Sequence, residues 1–265
     1  MDVTVDGKHA HAATGGREGG ADEPAVILIH GAGMDRTLWQ LQSRNIAHGG
    51  RRVFALDIPG HGHSEGPALT TIADMVQWVT RFMDAARLKT ASVIGYSMGS
   101  LVALELAATH PDRVERIVLM GISDEMPVHP DLLAAARADQ PLGPELIVFW
   151  GLGNHARIGG HPHPGLWVSG VTETLLKHSA AGVLAADLAA CDVYKDGYAA
   201  AAKVRCQVRL VLGAEDSMAP AKKGLKLAQA MTDAEVSSVV IPGAGHMMML
   251  EQPAAVYRAL KGFVF

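Results

Sequence analysis

The sequence predicts a doubly wound α/β fold, and three observations carry that expectation. Six apolar runs, at residues 25–29, 52–56, 91–94, 116–120, 208–212 and 236–241, lack the polar alternation of a half-exposed strand. Continuous runs of this length fit strands of a parallel sheet covered on both faces. Longer stretches with helical spacing lie between them, and such alternation implies a parallel sheet wrapped by helices. Each run also leads into a glycine-bearing turn.

Residues 3–5 and 8–13 flank Asp6-Gly7, which reads as the turn of a short hairpin. Residues 15–22 form a glycine-rich connector. Over 72–88 the apolar positions 72, 75, 76, 79, 82, 83 and 86 share one helical face. Residues 98–109 are rich in Ala and Leu and stop before His110-Pro111. Helices are also expected over 219–231 and 253–263, the latter with Pro253 in its first turn. Between 121 and 206 no strand is expected. Helical patches at 131–138, 144–150, 172–176, 180–190 and 195–203 surround a loop, 151–165, rich in Gly, His and Pro. That interval is too long for an ordinary connection and reads as a helical insertion over the sheet.

A chain of 265 residues suits one large α/β domain and can bury roughly three quarters of its unfolded surface. Hydrophobic residues are 49% and charged residues 19%, which excludes a disordered chain. The net charge is −4 and no basic cluster exceeds a pair (Arg51-Arg52, Lys222-Lys223), so nucleic acid is not an expected partner. No apolar run reaches the ~18 residues of a membrane span, and the first residues lack a signal-peptide pattern. Cys191 and Cys206 read as free packing thiols in a reducing, cytoplasmic setting.

The chemistry is expected at strand ends. Gly95-Tyr96-Ser97-Met98-Gly99 follows one run and opens a helix, the pattern of a strained turn that exposes a serine hydroxyl. His30-Gly31-Ala32-Gly33 follows the 25–29 run. Such a turn can aim a backbone N–H at a developing oxyanion, with Ala32 as the first donor, Gly31 and Gly33 as its rivals, and Met98 N–H as the second donor. Gly213-Ala214-Glu215-Asp216 follows 208–212, and Gly243-Ala244-Gly245-His246 follows the last run. Ser97, Asp216 and His246 thus all lie just past the carboxyl ends of strands, where open α/β sheets build their sites. A neutral hydroxyl is a poor nucleophile and needs a base, which in turn needs an acid to fix its tautomer. Asp216 is the expected acid, with Glu215 beside it and Asp124 after the 116–120 run as alternatives. The H-x-H pairs His61/His63, His9/His11 and His161/His163 lack the further ligands of a zinc site, so no metal is expected.

At these residues the sequence resembles the α/β-hydrolase superfamily. The marks are His30-Gly31, Asp57-Ile58-Pro59-Gly60-His61-Gly62-His63-Ser64, the Ser97 pentapeptide, the Asp216 loop, and Gly245-His246 followed by Leu250-Glu251-Gln252-Pro253. They span about residues 24–122 and 205–265. The resemblance implies the α/β-hydrolase fold: a mostly parallel eight-stranded sheet, a helical cap after strand six, and a Ser-His-Asp triad that works without a cofactor. Residues 1–122 and 205–265 would form the core and 123–204 the cap.

The expected function is a serine hydrolase acting on a small to medium, mainly apolar carboxylic ester, working as a monomer or homodimer on a small molecule. Met34, Met247, Trp150 and Trp167 are the expected substrate contacts, since methionine adapts to varied apolar ligands. Leu146, Val148 and Phe149 are further roof candidates. A charged substrate would need Arg157 or the nearby histidines His155, His161 and His163; Arg157 is expected to be solvated or structural. A carbon–carbon bond hydrolase of ring-cleavage products is the alternative. Those enzymes usually carry Asn before the nucleophile and Trp after the histidine, where this chain has Tyr96 and Met247. A cofactor-free haloperoxidase or perhydrolase is a further alternative, and a binding module that lost its chemistry is another. Dehalogenases and epoxide hydrolases are excluded, because their nucleophile is Asp where this chain has Ser97.

Overall fold

The computed structural model describes residues 1–161 and 165–265. The N-terminal hairpin pairs β1 (Asp2–Val5) with β2 (Lys8–Ala13) across Asp6 and Gly7, both at positive φ. Then follow β3 (Ala25–Ile29), a 3-10 turn at Arg36–Trp39, α1 (Gln40–His48), β4 (Arg52–Leu56), α2 (Ile72–Ala85), β5 (Ala91–Tyr96), α3 (Met98–Thr109) and β6 (Val114–Met120). Six helices come next: α4 (Pro130–Arg137), α5 (Leu142–Gly151), α6 (Asn154–Arg157), α7 (Val168–Lys177), α8 (Val183–Val193) and α9 (Gly197–Ala201). The chain ends with β7 (Gln207–Gly213), α10 (Ala221–Ala228), β8 (Val236–Ile241), α11 (Met248–Glu251) and α12 (Pro253–Leu260).

The eight strands form one sheet in the order β1-β2-β4-β3-β5-β6-β7-β8. The hairpin joins β4 antiparallel, and every pair from β4 to β8 is parallel. Side chains of the central strands alternate between two apolar layers. Ile27 and Ile29 of β3 face the layer built with α2, α3 and α10, while Val26 and Leu28 face the layer with α1, α12 and the helices α4, α5, α7 and α8. Every residue of β3 and β5 is buried, which explains the unbroken apolar runs. β8 is an edge strand and half exposed.

Most elements stand where the sequence placed them, and the differences have local causes. α2 stops at Ala85 because Arg87 turns left-handed, at φ 55°. α12 stops at Leu260, where Lys261 is extended and Gly262 has φ 77°. α10 begins only at Ala221, because the preceding backbone is taken up by the Asp216 loop. α1 was not expected: its buried face mixes Gln42 and Ser43 with Ile46 and Ala47, so its apolar stripe is short. α6 lies within the stretch expected to be a loop. Among the described residues between β6 and β7 there is no strand. α9 departs from its companions and packs its Ala200 and Ala201 into the α3 layer.

The centre of the sheet depends on close backbone approach. A methyl group on Gly95 would fall against the Gly99 carbonyl and 2.7 Å from Ser100 Cα. One on Gly99 would meet the Ile29 and His30 carbonyls. Neither contact is with a flexible side-chain end, so the backbone itself would have to shift. Gly95→Ala is therefore expected to destabilise the protein by about 3 kcal/mol or more, read as a lowered urea-unfolding midpoint.

Candidate active site

Ser97 sits between β5 and α3 with φ 52° and ψ −118°. For a residue with a Cβ this backbone costs roughly 1–3 kcal/mol and persists only where the surroundings impose it. Here the surroundings are hydrogen bonds on both sides. Ser97 N–H donates to Met120 O at 2.9 Å, and Ser97 O accepts from Ser100 N–H at 2.8 Å and from the Ser100 hydroxyl at 2.6 Å. The turn lifts the serine hydroxyl off the sheet and starts α3 with Met98, whose N–H is one of the helix's unshared first-turn donors.

The last two strands deliver the partners. Ser97 Oγ lies 2.9 Å from His246 Nε2, and His246 Nδ1 lies 2.7 Å from Asp216 Oδ2. The carboxylate can only accept, so Nδ1 carries the proton and Nε2 is left to accept from the serine hydroxyl. The second oxygen, Asp216 Oδ1, accepts from Met218 and Ala219 N–H at 2.9 and 2.8 Å. Both side chains are almost fully buried. Of the candidate acids the structure brings Asp216 to the imidazole. Glu215 instead accepts from Asn154 N–H at 2.7 Å and holds the start of α6.

The histidine loop is clamped from two directions. His246 N–H donates to Gly151 O at 2.6 Å. Buried Glu251 accepts from Gly245 N–H at 3.0 Å and from Gly153 N–H at 2.8 Å. Burial pushes the Glu251 carboxyl up, and those two N–H groups oppose the shift. Gly121, at φ 60°, gives the ring room, since a Cβ there would stand 2.9 Å from His246 Cε1.

Above Ser97 opens a cavity of about 380 Å³. Ala32, Met34 and Trp150 line it together with Ser97, Tyr96 and His246. Its walls are mostly apolar, with Leu132, Ile147 and Leu188 from the helices between β6 and β7, and His129 set at a tilt against Trp150, ring centres 5.2 Å apart. Among the described residues that line it there is no Asp, Glu, Lys or Arg. Two expected contacts lie elsewhere. Trp167 precedes α7, folds its ring over Gly170 and is 70% exposed. Met247 is fully buried beneath Tyr96, whose hydroxyl donates to its sulfur at 3.0 Å. Arg157 also turns away from the cavity: it donates to Leu152 O at 3.0 Å and stacks over Phe149. His161 binds Leu250 O at 2.7 Å, and His163 lies outside the described residues. Cys191 faces the cavity, but burial pushes its thiol far up, so it stays protonated.

The expected oxyanion turn is held by a residue the sequence reading passed over. Gly33 N–H donates to Asp187 Oδ2 of α8 at 2.8 Å, so that amide is engaged, while Ala32 lines the cavity together with Ser97. The same oxygen lies 2.8 Å from His61 Nε2, and His61 Nδ1 is 3.0 Å from Pro59 O. Both ring nitrogens thus face acceptors, and only the imidazolium satisfies both. Burial opposes that charge, but the Asp187 carboxylate together with backbone hydrogen bonds at Pro59 and Ile58 outweighs it and raises the His61 pKa. His30 lies at a tilt against His61, ring centres 4.7 Å apart, and donates from Nδ1 to Gly31 O. Burial first, and charged His61 second, push its pKa down to about 4. His61 and His63 therefore part: the first faces Asp187 and the second lies by Arg36. Among the described residues no three His, Cys, Asp or Glu side chains are grouped to hold a metal ion.

These two histidines act on stability in separate pH ranges. An unfolded imidazole titrates near about 6.5, so between that value and about 4 the unfolded chain binds the proton that folded His30 refuses. Stability contributed by neutral His30 is lost as pH falls through that range. His61 has the opposite sign, stabilising below about 6.5 and losing that contribution as pH rises through its raised value. Replacing His30 by Gln is expected to flatten the drop in urea midpoint between pH 6.5 and 4.5 while leaving the alkaline side unchanged.

Comparison with known proteins agrees with this geometry. A family model described as the alpha/beta hydrolase fold matches residues 24–161. The dihydrolipoyllysine-residue acetyltransferase component of the acetoin cleaving system of Cupriavidus necator is 43% identical over 107 residues, 40% of this chain but only 28% of that protein. The (E)-2-((N-methylformamido)methylene)succinate hydrolase of Acinetobacter baylyi is 26% identical over 254 residues, 93% of this chain and 92% of its own. Carboxylesterase YbfK of Bacillus subtilis is 26% identical over 93% of this chain and 82% of its own. The crystal structure of that esterase superposes with a TM-score of 0.74 at 24% identity, covering 99% of this chain and 90% of the other. The strand order, the elbow at Ser97 and the matched family model together place this chain in the α/β-hydrolase family.

Proposed function

We propose that the chain is a serine hydrolase that cleaves neutral, largely apolar carboxylic esters through an acyl-enzyme on Ser97. The observation that carries this reading is the 2.9 and 2.7 Å chain from Ser97 through His246 to Asp216, set at the floor of a cavity whose described lining residues include no Asp, Glu, Lys or Arg. Ser97 Oγ attacks the ester carbonyl while His246 Nε2 takes its proton. Asp216 holds the imidazole in the required tautomer and stabilises the imidazolium. The N–H groups of Met98 and Ala32 receive the oxyanion, each donor worth about 3 kcal/mol in such sites. The imidazolium then protonates the leaving alcohol, and water repeats the sequence on the acyl-enzyme. Residues 123–204 act as the cap that selects the substrate over a core of 1–122 and 205–265.

The neutral cavity sets this reading apart from a dicarboxylate hydrolase such as the Acinetobacter relative, whose name specifies a succinate. An isolated carboxylate taken into an apolar cleft without a partner is strongly disfavoured. Against the carbon–carbon hydrolase alternative stands Tyr96, which occupies the position before the serine and whose hydroxyl is spent on Met247.

Labelling and kinetics test the proposal. A fluorophosphonate is expected to label Ser97 stoichiometrically, with no label on Ser97→Ala, and Asp216→Asn is expected to lower kcat roughly 10³–10⁴-fold. Folded protein that takes no label would leave a binding module as the reading. Along a series of p-nitrophenyl esters kcat/KM is expected to rise about fourfold per methylene until the cavity fills, each methylene contributing ~0.8 kcal/mol. A half-ester of succinate is expected to be the poorer substrate than neutral butyrate, and a preference for the half-ester would overturn the apolar assignment.

A further inference from the structure

Helix α8 presents Leu184, Asp187, Leu188 and Cys191 at helical spacing, so all four share one face. That face does two things at once. Leu188 and Cys191 line the cavity. Leu184 packs on the oxyanion turn so closely that a Cβ on Gly33 would stand 2.6 Å from its Cδ1. In the middle of this apolar stripe stands a fully buried carboxylate, Asp187, whose Oδ1 has no hydrogen-bond partner among the described residues. An acid here is costly, and packing alone would favour leucine. Its one engaged oxygen, Oδ2, takes Gly33 N–H and His61 Nε2–H, both at 2.8 Å, from segments 154 and 126 residues away.

We propose that Asp187 is a positioning residue for the oxyanion turn: by gripping Gly33 it fixes the adjacent Ala32 N–H over Ser97, and its bond to His61 fixes the carboxylate in turn. The inference rests on the serine-hydrolase reading and extends it, because the donor that stabilises the transition state is then held by the insertion and not by the sheet alone. Gly33 has φ 66°, and within the turn itself a single bond, Met34 N–H to Gly31 O at 3.2 Å, closes the backbone. Without Asp187 the turn keeps its chain connections but loses the one bond that ties it to α8. A displacement on the order of 1 Å at such a group can cost roughly 100-fold in rate.

The readout must separate oxyanion support from general stability. A trifluoromethyl ketone matched to the best ester is attacked by Ser97 Oγ; the C–O bond forms, the carbonyl pair becomes an oxyanion, and the proton passes to His246. The corresponding trifluoromethyl carbinol occupies the same cavity and forms no oxyanion. In wild type the ketone is expected to bind far more tightly than the carbinol. Asp187→Ala is expected to lower kcat roughly 30- to 100-fold with KM within about threefold, and to weaken the ketone by the same factor as kcat/KM while the carbinol is unchanged. Asp187→Asn keeps an acceptor without the charge and is expected to fall between, three- to tenfold below wild type on both measures. If Asp187→Ala does not fold, Asp187→Asn carries the test alone. An unchanged ketone affinity, or equal loss for ketone and carbinol, would show Asp187 to be no more than packing and would overturn the inference. Wild type that binds the ketone no better than the carbinol and cleaves no ester would overturn the serine-hydrolase reading itself, and this inference with it.

Discussion

The close approach of α3 to β5 and β3 is the constraint on which the rest of the molecule depends. Gly95 and Gly99 let the helix descend onto two strand ends. That descent forces Ser97 into a left-handed backbone, and the same geometry points its hydroxyl away from the sheet and leaves Met98 N–H at the first turn of the helix. The exposed Ser97 hydroxyl and the first-turn N–H of Met98 are thus products of a single packing contact. The remaining groups arrive on loops after β3, β7 and β8, all at the same end of the sheet because those strands are parallel to β5.

Those loops lack a ladder of their own, and buried carboxylates supply what a ladder would. Asp57 accepts from Arg36 N–H and His63 N–H, at 2.8 and 2.9 Å. Asp216 accepts from Met218 and Ala219, Glu251 from Gly245 and Gly153, and Asp187 from Gly33. Each acid satisfies backbone donors that would otherwise be buried unpaired, and each bond is charge-assisted. Three of these four acids tie a loop next to the cavity to a second segment or hold it in a tight turn. Rigidity at the site is therefore electrostatic as much as hydrophobic.

This division explains what could be read from the sequence. Strands β3 and β4 stand at their expected residues because unbroken apolar runs have few alternatives in a covered sheet. Ser97, Asp216 and His246 were legible for a related reason: each directly follows a strand, so strand and turn together locate it. Side chains in the segment between β6 and β7 were not. Trp150 and Trp167 look alike in sequence, yet the first faces the cavity at the end of α5 and the second lies outside on solvent. Only the helix directions separate them. Met247 was misplaced because the chain turns into α11 immediately after His246 and carries it under Tyr96. Asp187 left a trace, an acid at the centre of the Leu184, Leu188 and Cys191 stripe. What the trace could not disclose was its partner, 154 residues upstream.

The uncharged lining of the cavity also bears on how a catalytic cycle ends. In the proposed reaction an uncharged ester enters, and the acyl half departs as a carboxylic acid that ionises at neutral pH. The enclosure that suits the first occupant has no Lys or Arg among its described lining residues to hold the second. Ionisation turns a well-matched guest into one that water solvates better, so the desolvation that admits the substrate is reversed by the chemistry itself. Turnover of this kind clears its own product, and the forward direction is favoured at the exit as well as at the bond.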